Sequence, residues 1–509
     1  VKNRKLIETD VLVVGGGVAG MLAALEAQKH GVRVCLMTKG KIGKSGSSVI
    51  SQTAHLVVEG GCDPENAFYN EIYEAGGQIN NPALLKTLVE RGFDSVKNLS
   101  RYGIKLSAKP KKTGQKNLYL TKQSRGKELT IPLRKAVFNS RIEVCENCEL
   151  IKLLTRDKRV IGAVAVFNNE HILIKSKAVI LAAGGYATMF ALNDNTKQTT
   201  GETIITAYEA GAELMDLEFV QFYPYWLVHP QFMDILTPLF FHGARLKNDK
   251  GEYFLEKYPR GELENRDLVS REIALQHKVF LDLSGVDEDV IKVRNPRLYK
   301  LLKNSGEDSE FLVKPVAHFT MGGIKIDERC RTAVEGLFAC GECSAGVHGA
   351  NRIGGMALTE CAVFGPIAGR EAAENARNVD EIQGFDIDFI THLPEAGDDP
   401  VDHIAGTLQQ IMYDDVGILR DETGLKNAIN KIEHLKAELD SIKPDDPQKW
   451  YRLKNMLKLA VLVSKSALMR RESRGAHYRT DYPEMDPQWQ GNLVHDTQKG
   501  LEFMMSKEG

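Results

Sequence analysis

The segment TDVLVVGGGVAGMLAALEAQKHGVRVCLMTKG, from Thr9 to Gly40, constrains the fold more than any other part of the chain. VLVV reads as a buried strand, the glycines as a turn, MLAALEAQ as a helix and VRVCLM as a second strand, all within about thirty residues. That is the βαβ unit of a dinucleotide site. Gly15, Gly17 and Gly20 fill its three glycine positions, with Val18 and Ala19 at the start of the helix. Gly15 permits the tight turn, Gly17 lets the backbone approach a pyrophosphate, and Gly20 lets helix and strand pack closely. The first helical amides then face the phosphates. Thr38 and Lys39 end the second strand where an acidic residue usually holds the ribose hydroxyl, so a weaker threonine contact is expected.

Two later segments extend the same pattern. AVILAAGG, Ala178 to Gly185, reads as a buried strand ending in glycines that include Gly184 beside Ala183. GLFACGECSAGVHGANRIGGMAL, Gly336 to Leu358, reads as a strand, a glycine-rich loop and a helix start. The nucleotide-binding half is therefore expected to be split. Residues 218–317, with their own aromatic and charged character, read as an insertion. After about residue 385 the composition shifts through GFDIDFITHLPEAGDDP, which reads as a linker. Beyond it Leu425, Ile429, Ile432, Leu435, Leu439 and Ile442 recur at helical steps before Pro444, and a second long helix is expected over about 450–470.

At 509 residues the chain exceeds one ordinary domain. Its 66 basic and 68 acidic side chains leave a net charge of -2, which supplies no field for nucleic acid and no polybasic membrane anchor. No run reaches the roughly 18 apolar residues of a membrane span, and VKNRKLIETD lacks a secretory hydrophobic region. The expectation is a soluble, cytoplasmic protein without membrane insertion. Eight cysteines are too sparse for a disulfide scaffold. Two pairs, Cys145/Cys148 and Cys340/Cys343, have the CxxC spacing of zinc or iron-sulfur ligands. Their apolar flanks favour buried thiols, so no metal site is expected.

Seven motifs in order, VVGGGVAG, AVILAAGG, LEFVQFYP, ENRDLVSREI, HFTMGGI, GLFACGECSAGVHGANRIGG and RRESRGAHYRTDYP, resemble the succinate dehydrogenase and fumarate reductase flavoprotein family, which includes L-aspartate oxidase. The resemblance implies an α/β fold: a Rossmann-like FAD-binding domain (1–217 and 318–385) split by an inserted α+β cap domain (218–317), then a C-terminal helical domain (400–509). It implies FAD contacts at Gly15, Gly17, Val18, Ala19, Gly20, Thr38, Lys39, Ser45, Ser47, Gln52, Ala183, Gly184, Glu202, Glu342, Arg352, Ala357 and Leu358. Some relatives bind FAD covalently through a histidine. Ser47 stands at that position here, so dissociable FAD is expected.

The family moves a hydride between flavin and a carbon beside a carboxylate while a proton is exchanged at the neighbouring carbon. By motif position Arg266 is the proton donor, with Arg245 and His242 as its relay; relatives carry glutamate where His242 stands. An arginine is a poor titrating acid, but its charge stabilises developing carbanion character. His318 and Arg352 match one carboxylate grip. At the other end Tyr223 replaces a histidine and Phe241 a threonine. Two polar contacts have become rings, which points to a carboxylic acid whose far end is uncharged and away from an unmodified succinate or fumarate site. A drifted dicarboxylate site with the Tyr223 hydroxyl in place of imidazole stays open, as do L-aspartate oxidation and an electron-transfer subunit without its own turnover. An iron-sulfur partner subunit is a further option, weakened because the chain lacks the longer carboxy-terminal extension of membrane-bound relatives. RRESRGAHYRTDYP reads as a solvated helix end from its charge alone, and from the resemblance as a structural clamp on the flavin domain.

Overall fold

The fingerprint strand Lys5–Val14 lies inside a seven-stranded sheet of the computed structural model, which describes residues 5–59, 66–110, 116–167, 170–306, 309–382, 385 and 397–505. It pairs in parallel with Val34–Thr38 on one side and Glu170–Leu181 on the other, with Val11 opposite both Val34 and Ala178. Glu143–Glu146 extends the first side. Strand Glu170–Leu181 has two partners: its first half continues into the antiparallel strands Arg159–Phe167 and Cys148–Arg156, and its end pairs in parallel with Leu337–Ala339. All five residues of Val34–Thr38 are buried, as a parallel strand covered on both faces requires. The helix Val18–Lys29 packs against the long helix Met356–Arg377, so residues more than 300 positions apart close one nucleotide-binding layer.

The insertion forms a five-stranded sheet in the order Met233–Asp234, Val220–His229, Leu312–Thr320, Val279–Asp282 and Arg245–Asn248, and carries helices Arg266–Ala274, Glu288–Arg294 and Pro296–Asn304. It has its own core, including Leu227, Leu246, Val269 and Leu281. The two cores meet within single strands. Val220, Phe222 and Ala317 belong to the main core, whereas Tyr223, Val313 and Val316 belong to that of the insertion. Every side chain at this seam is therefore placed by both units.

Helices Asp402–Asp415, Glu422–Ser441 and Pro447–Met469 follow. Leu425, Ile432, Leu435 and Leu439 are buried along one side of the second, with Ile429 half-buried between them. Most of the expected linker lies outside the described residues. The C-terminal part ends in strands Gly491–Asp496 and Gly500–Met505, which join Leu214–Met215, Gly323–Lys325 and Ser344–Ala345 in one sheet. RRESRGAHYRTDYP is no solvated helix end, because Arg470, Glu472, Arg474 and Arg479 are buried and ion-paired. Arg470 and Glu472 are fully buried and 2.9 Å apart, Arg470 also reaches Glu218 at 2.7 Å, and Arg479 reaches Asp481 at 2.6 Å. Removing one member of such a network costs about 3–5 kcal/mol, because it strands the other charge in low dielectric. The network ties the C-terminal segment to Glu218, immediately before the strand that enters the insertion.

The CxxC pairs fall on separate elements. Cys145 lies 3.7 Å from Cys35 on the neighbouring strand, Cys148 begins the next strand, and Cys340 and Cys343 are buried beyond Leu337–Ala339. Among the described residues no cluster of three His, Cys, Asp or Glu side chains could hold a metal.

Candidate functional site

At the dinucleotide end the backbones leave no room for side chains where the fingerprint has glycine. Gly15 has φ +119°, and a Cβ there would lie 2.2 Å from Ala182 O; at Gly20 a Cβ would lie 1.9 Å from Gly15 O. At Gly17 a Cβ would meet only one atom, the Ser48 hydroxyl at 3.3 Å, so this is the least crowded of the three positions and a phosphate can approach the amides of Val18 and Ala19. Val18 N–H donates to that Ser48 hydroxyl. Lys39 Nζ donates to Thr200 Oγ1 at 2.8 Å and pairs with Glu202. Burial pushes the Glu202 carboxyl upward, but the charge and hydrogen bond of Lys39 outweigh it and leave the group below the usual carboxylate range. Thr38 is buried beside Gly16, and Ala183 and Gly184 follow the strand end, Gly184 with φ +83°. Ser47 faces Asn195 and Thr199, Ser45 donates to Lys41 O, and Gln52 is exposed.

Between this end and the seam lies Glu342, which accepts from Thr320 N–H at 3.3 Å; desolvation raises its carboxyl to about 7. The buried Thr320 hydroxyl has no partner. Ala357 and the buried Leu358 stand in the first turn of helix Met356–Arg377. Bare backbone at Gly17, an orphaned hydroxyl and a carboxyl that is readily neutral fit a dinucleotide carrying a polar ring system.

The seam gathers the cations. Arg352 Nη2 donates to Gln221 Oε1 at 2.9 Å and Arg266 Nη1 to the same oxygen at 3.4 Å. Gln221 Nε2 donates in turn to Asn351 Oδ1 and Arg352 O, both at 2.8 Å, so its orientation is determined. Among the described residues neither arginine has a carboxylate within ion-pair distance, and the buried Nε of Arg352 has no partner at all. Burial, then the charge of Arg266, lowers the Arg352 guanidinium to about 9. His318 joins them: Asp194 lies 2.6 Å from its Nδ1, while burial lowers its pKa despite that carboxylate. Burial thus favours the uncharged ring, and in that form a proton on Nδ1 would face Asp194.

Tyr223 forms one wall. Its ring lies 5.0 Å beneath the Arg266 guanidinium and 5.6 Å from the His318 ring. Its hydroxyl points away from the cations, donating to Ile235 O at 2.8 Å with Thr237 Oγ1 at 3.2 Å. The remaining predicted residues stand elsewhere. Arg245 pairs with Glu256 at 2.7 Å and stacks 3.9 Å over Tyr253, His242 is exposed, and Phe241 is 68% exposed. Arg266, Arg352, His318 and Tyr223 are thus brought together, and Arg245, His242 and Phe241 are not in contact with them.

The FAD binding domain family model matches residues 10–358, and that of the fumarate reductase flavoprotein C-terminus matches residues 405–505. The chain belongs to the fumarate reductase and succinate dehydrogenase flavoprotein family. This flavoprotein is 36% identical over 526 residues to an uncharacterized FAD-dependent oxidoreductase of Methanocaldococcus jannaschii, with 96% of each chain covered. It is 33% identical over 545 residues to one of the subunits of the CoM/CoB fumarate reductase of Methanothermobacter marburgensis, covering 98% of this chain and 99% of that one. FrdA of E. coli quinol fumarate reductase superposes with a TM-score of 0.87 at 25% identity, covering 99% of this chain and 98% of that one. The flavoprotein is accordingly an FAD-dependent oxidoreductase of this family. No helix among its described residues is long and apolar enough to cross a membrane.

Sequence reasoning on the flavoprotein misses Gln221, Asp194 and Ser48. Gln221 sits two residues before Tyr223 in a motif that stands out for its rings. Asp194 lies in the plain loop LNDNTK, where no spacing links it to His318. Ser48 is overshadowed by its neighbour Ser47. In each case the partner is far away in sequence, and only the fold reveals the pairing.

Proposed function

We propose that the protein transfers a hydride between dissociable FAD and a carbon next to the carboxylate of an acid that binds between Arg266, Arg352 and His318. The observation that carries this reading is the pair of guanidiniums sharing one amide oxygen, with no carboxylate partner among the described residues and with Arg352 Nε unsatisfied. A buried unpaired cation is costly, and two side by side more so, unless an anion arrives to neutralise them. A planar carboxylate fits the guanidinium fork. The Tyr223 hydroxyl is already used by Ile235 O, which counts against its serving as a second carboxylate grip and favours an acid with an uncharged far end.

FAD, when bound, supplies the two-electron acceptor or donor. Arg352 and His318 hold the carboxylate and fix which carbon is presented. Arg266, half-buried at the rim and steadied by Gln221 and the Tyr223 face, holds a proton at Nη next to the adjacent carbon, and its charge stabilises the negative charge that develops there. Refilling that proton from His242 and Arg245 requires the insertion to shift, because Arg245 is held by Glu256 in this conformation. The test is anaerobic bleaching of the oxidised holoenzyme with saturated acids, and recolouring of the reduced holoenzyme with unsaturated ones. Aromatic or aliphatic monocarboxylates should react, and an Arg352→Met variant should not. Faster reaction with succinate or fumarate than with every monocarboxylate would overturn the uncharged far end, and a flavin that stays with acid-precipitated protein would overturn dissociable FAD.

A further inference from the structure

The two guanidiniums of the seam share one amide oxygen, and the amide that offers it is held in turn by a link that ends on a carboxylate outside the cluster. Gln221 Oε1 accepts from Arg352 and Arg266, while Gln221 Nε2 donates to Arg352 O and to Asn351 Oδ1. Asn351 Nδ2 then donates to Asp267 Oδ1 at 2.8 Å. Gln221 and Asn351 are both buried, so an amide turned the wrong way would set donor against donor in low dielectric. Each can therefore be seated in one way only. Guanidiniums only donate, so the Gln221 oxygen faces them and its nitrogen faces the Asn351 oxygen. The Asn351 nitrogen is left pointing outward, and Asp267 supplies the oxygen that it meets. Every hydrogen bond of the link runs in the same sense, from arginine to carboxylate.

The surroundings of Asp267 suit this end. It stands half-buried in the first turn of helix Arg266–Ala274. Burial raises its carboxyl above the usual range, and the groups that oppose the rise are all donors: the amides of Asp267 and Leu268, the charge of Arg271 and the Asn351 side chain. Arg271 itself is turned over the Tyr478 ring, 4.7 Å from its centre. Asp267 follows Arg266 directly in sequence, yet its carboxyl meets Asn351 and not the guanidinium beside it. A carboxylate in direct contact with either arginine would fill the fork that a substrate carboxylate needs. Two amides away, it orders both arginines and leaves their forks open.

We infer that Asp267 is a positioning residue for acid binding: through Asn351 and Gln221 it fixes the acceptor that sets Arg266 and Arg352 side by side, and it touches neither. The inference rests on the proposed grip of a carboxylate by those arginines. The coupling between Asp267 and Arg352 through two amides exists with or without an acid. What Asp267 contributes is an oxygen at the end of the link. Without it Asn351 is free to turn over and offer its nitrogen to the Gln221 nitrogen, and the acceptor shared by the arginines is released. A residue that only steadied the start of its own helix would act alike whatever stood at position 352.

The test uses FAD-loaded holoenzyme in two arms. In the first, without acid, melting followed by flavin emission compares Asp267→Leu, Arg352→Met and the double variant. The two shifts should fail to add by about 1 °C or more, because the link then has no Arg352 guanidinium to serve. Additive shifts would overturn the coupling. The same cycle run with Asn351→Leu in place of Asp267→Leu decides the point if the latter does not retain its flavin. In the second arm, flavin spectral titration of oxidised holoenzyme with cinnamate and crotonate reads affinity. Asp267→Leu should weaken binding about ten-fold, the effect of one buried donor left unpaired, and Asn351→Leu by a similar factor. The two together should be no worse than the worse single change. Asp267→Asn keeps an oxygen for Asn351 and should stay within about three-fold of the parent. Equal weakening in Asp267→Asn and Asp267→Leu, or multiplied effects in the double variant, would overturn the link. If neither these acids nor fumarate perturbs the parent flavin spectrum, the carboxylate reading fails and the positioning role in acid binding falls with it, while the melting cycle still decides the coupling.

Discussion

Replacing Arg352 with methionine should stabilise the protein and destroy acid binding together. Arg352 is buried, its guanidinium is lowered from the ordinary arginine range to about 9, and the causes are burial and then the like charge of Arg266. For a base whose folded pKa is depressed, the folded state is penalised at every pH below the folded value, and the penalty is relieved only as pH rises through about 9 toward the ordinary arginine range. Near neutral pH the full penalty applies, an upper bound of about 5 kcal/mol at 1.36 kcal/mol per pH unit. Local relaxation brings the expected gain for an apolar side chain of similar volume to about 1–4 kcal/mol. In acid-free holoenzyme this should appear as a melting temperature a few degrees higher, followed by flavin emission. Losing the buried donor should cost the substrate about 2–5 kcal/mol of binding, roughly 30- to 5000-fold in Kd, read from flavin spectral titration. A lower melting temperature would mean that Arg352 already has a counter-ion, and a variant that binds acid as tightly as the parent would remove the carboxylate from this site.

Other expectations are independent of that one. Gly20→Ala places a methyl group 1.9 Å from Gly15 O, so the purified variant should lose most of its FAD, measured as the ratio of flavin to protein absorbance. Tyr223→Phe strands the Ile235 carbonyl and should lower the melting temperature by the equivalent of about 1 kcal/mol while leaving acid affinity within a few-fold; a loss of a hundred-fold or more would restore the hydroxyl as a carboxylate grip. An anion entering beside the neutral His318 should raise its pKa and draw in a proton. Affinity should therefore weaken as pH rises through neutrality, and calorimetry in buffers of different ionisation enthalpy should show proton uptake, diminished in His318→Gln.

The part of the site legible in the sequence was the part whose chemistry is local. Gly15, Gly17 and Gly20 are required by one turn and its own helix, and their spacing carries that requirement wherever the turn sits. The stripe of Leu425, Ile432, Leu435 and Leu439 is likewise a property of one helix. Arg470 and Glu472 show the opposite case. Their composition reads as a solvated helix end, and only the approach of Glu218, about 250 residues away, turns them into a buried network.

By itself the sequence determined the nucleotide-binding layers, the split caused by the insertion and the residue types that can meet a carboxylate, because strand and helix periods and glycine conformations are set by neighbouring residues. Which groups are paired was decided by tertiary structure alone. Arg245 is held by Glu256, Phe241 faces solvent, the Tyr223 hydroxyl turns to Ile235, and Arg266 and Arg352 are left facing each other across Gln221 without a counter-ion among the described residues. Hydrogen bonds and charges act over a few ångströms whatever the separation along the chain, so the cluster proposed to receive a carboxylate exists only once two strands of the seam and the loop after Gly349 have met.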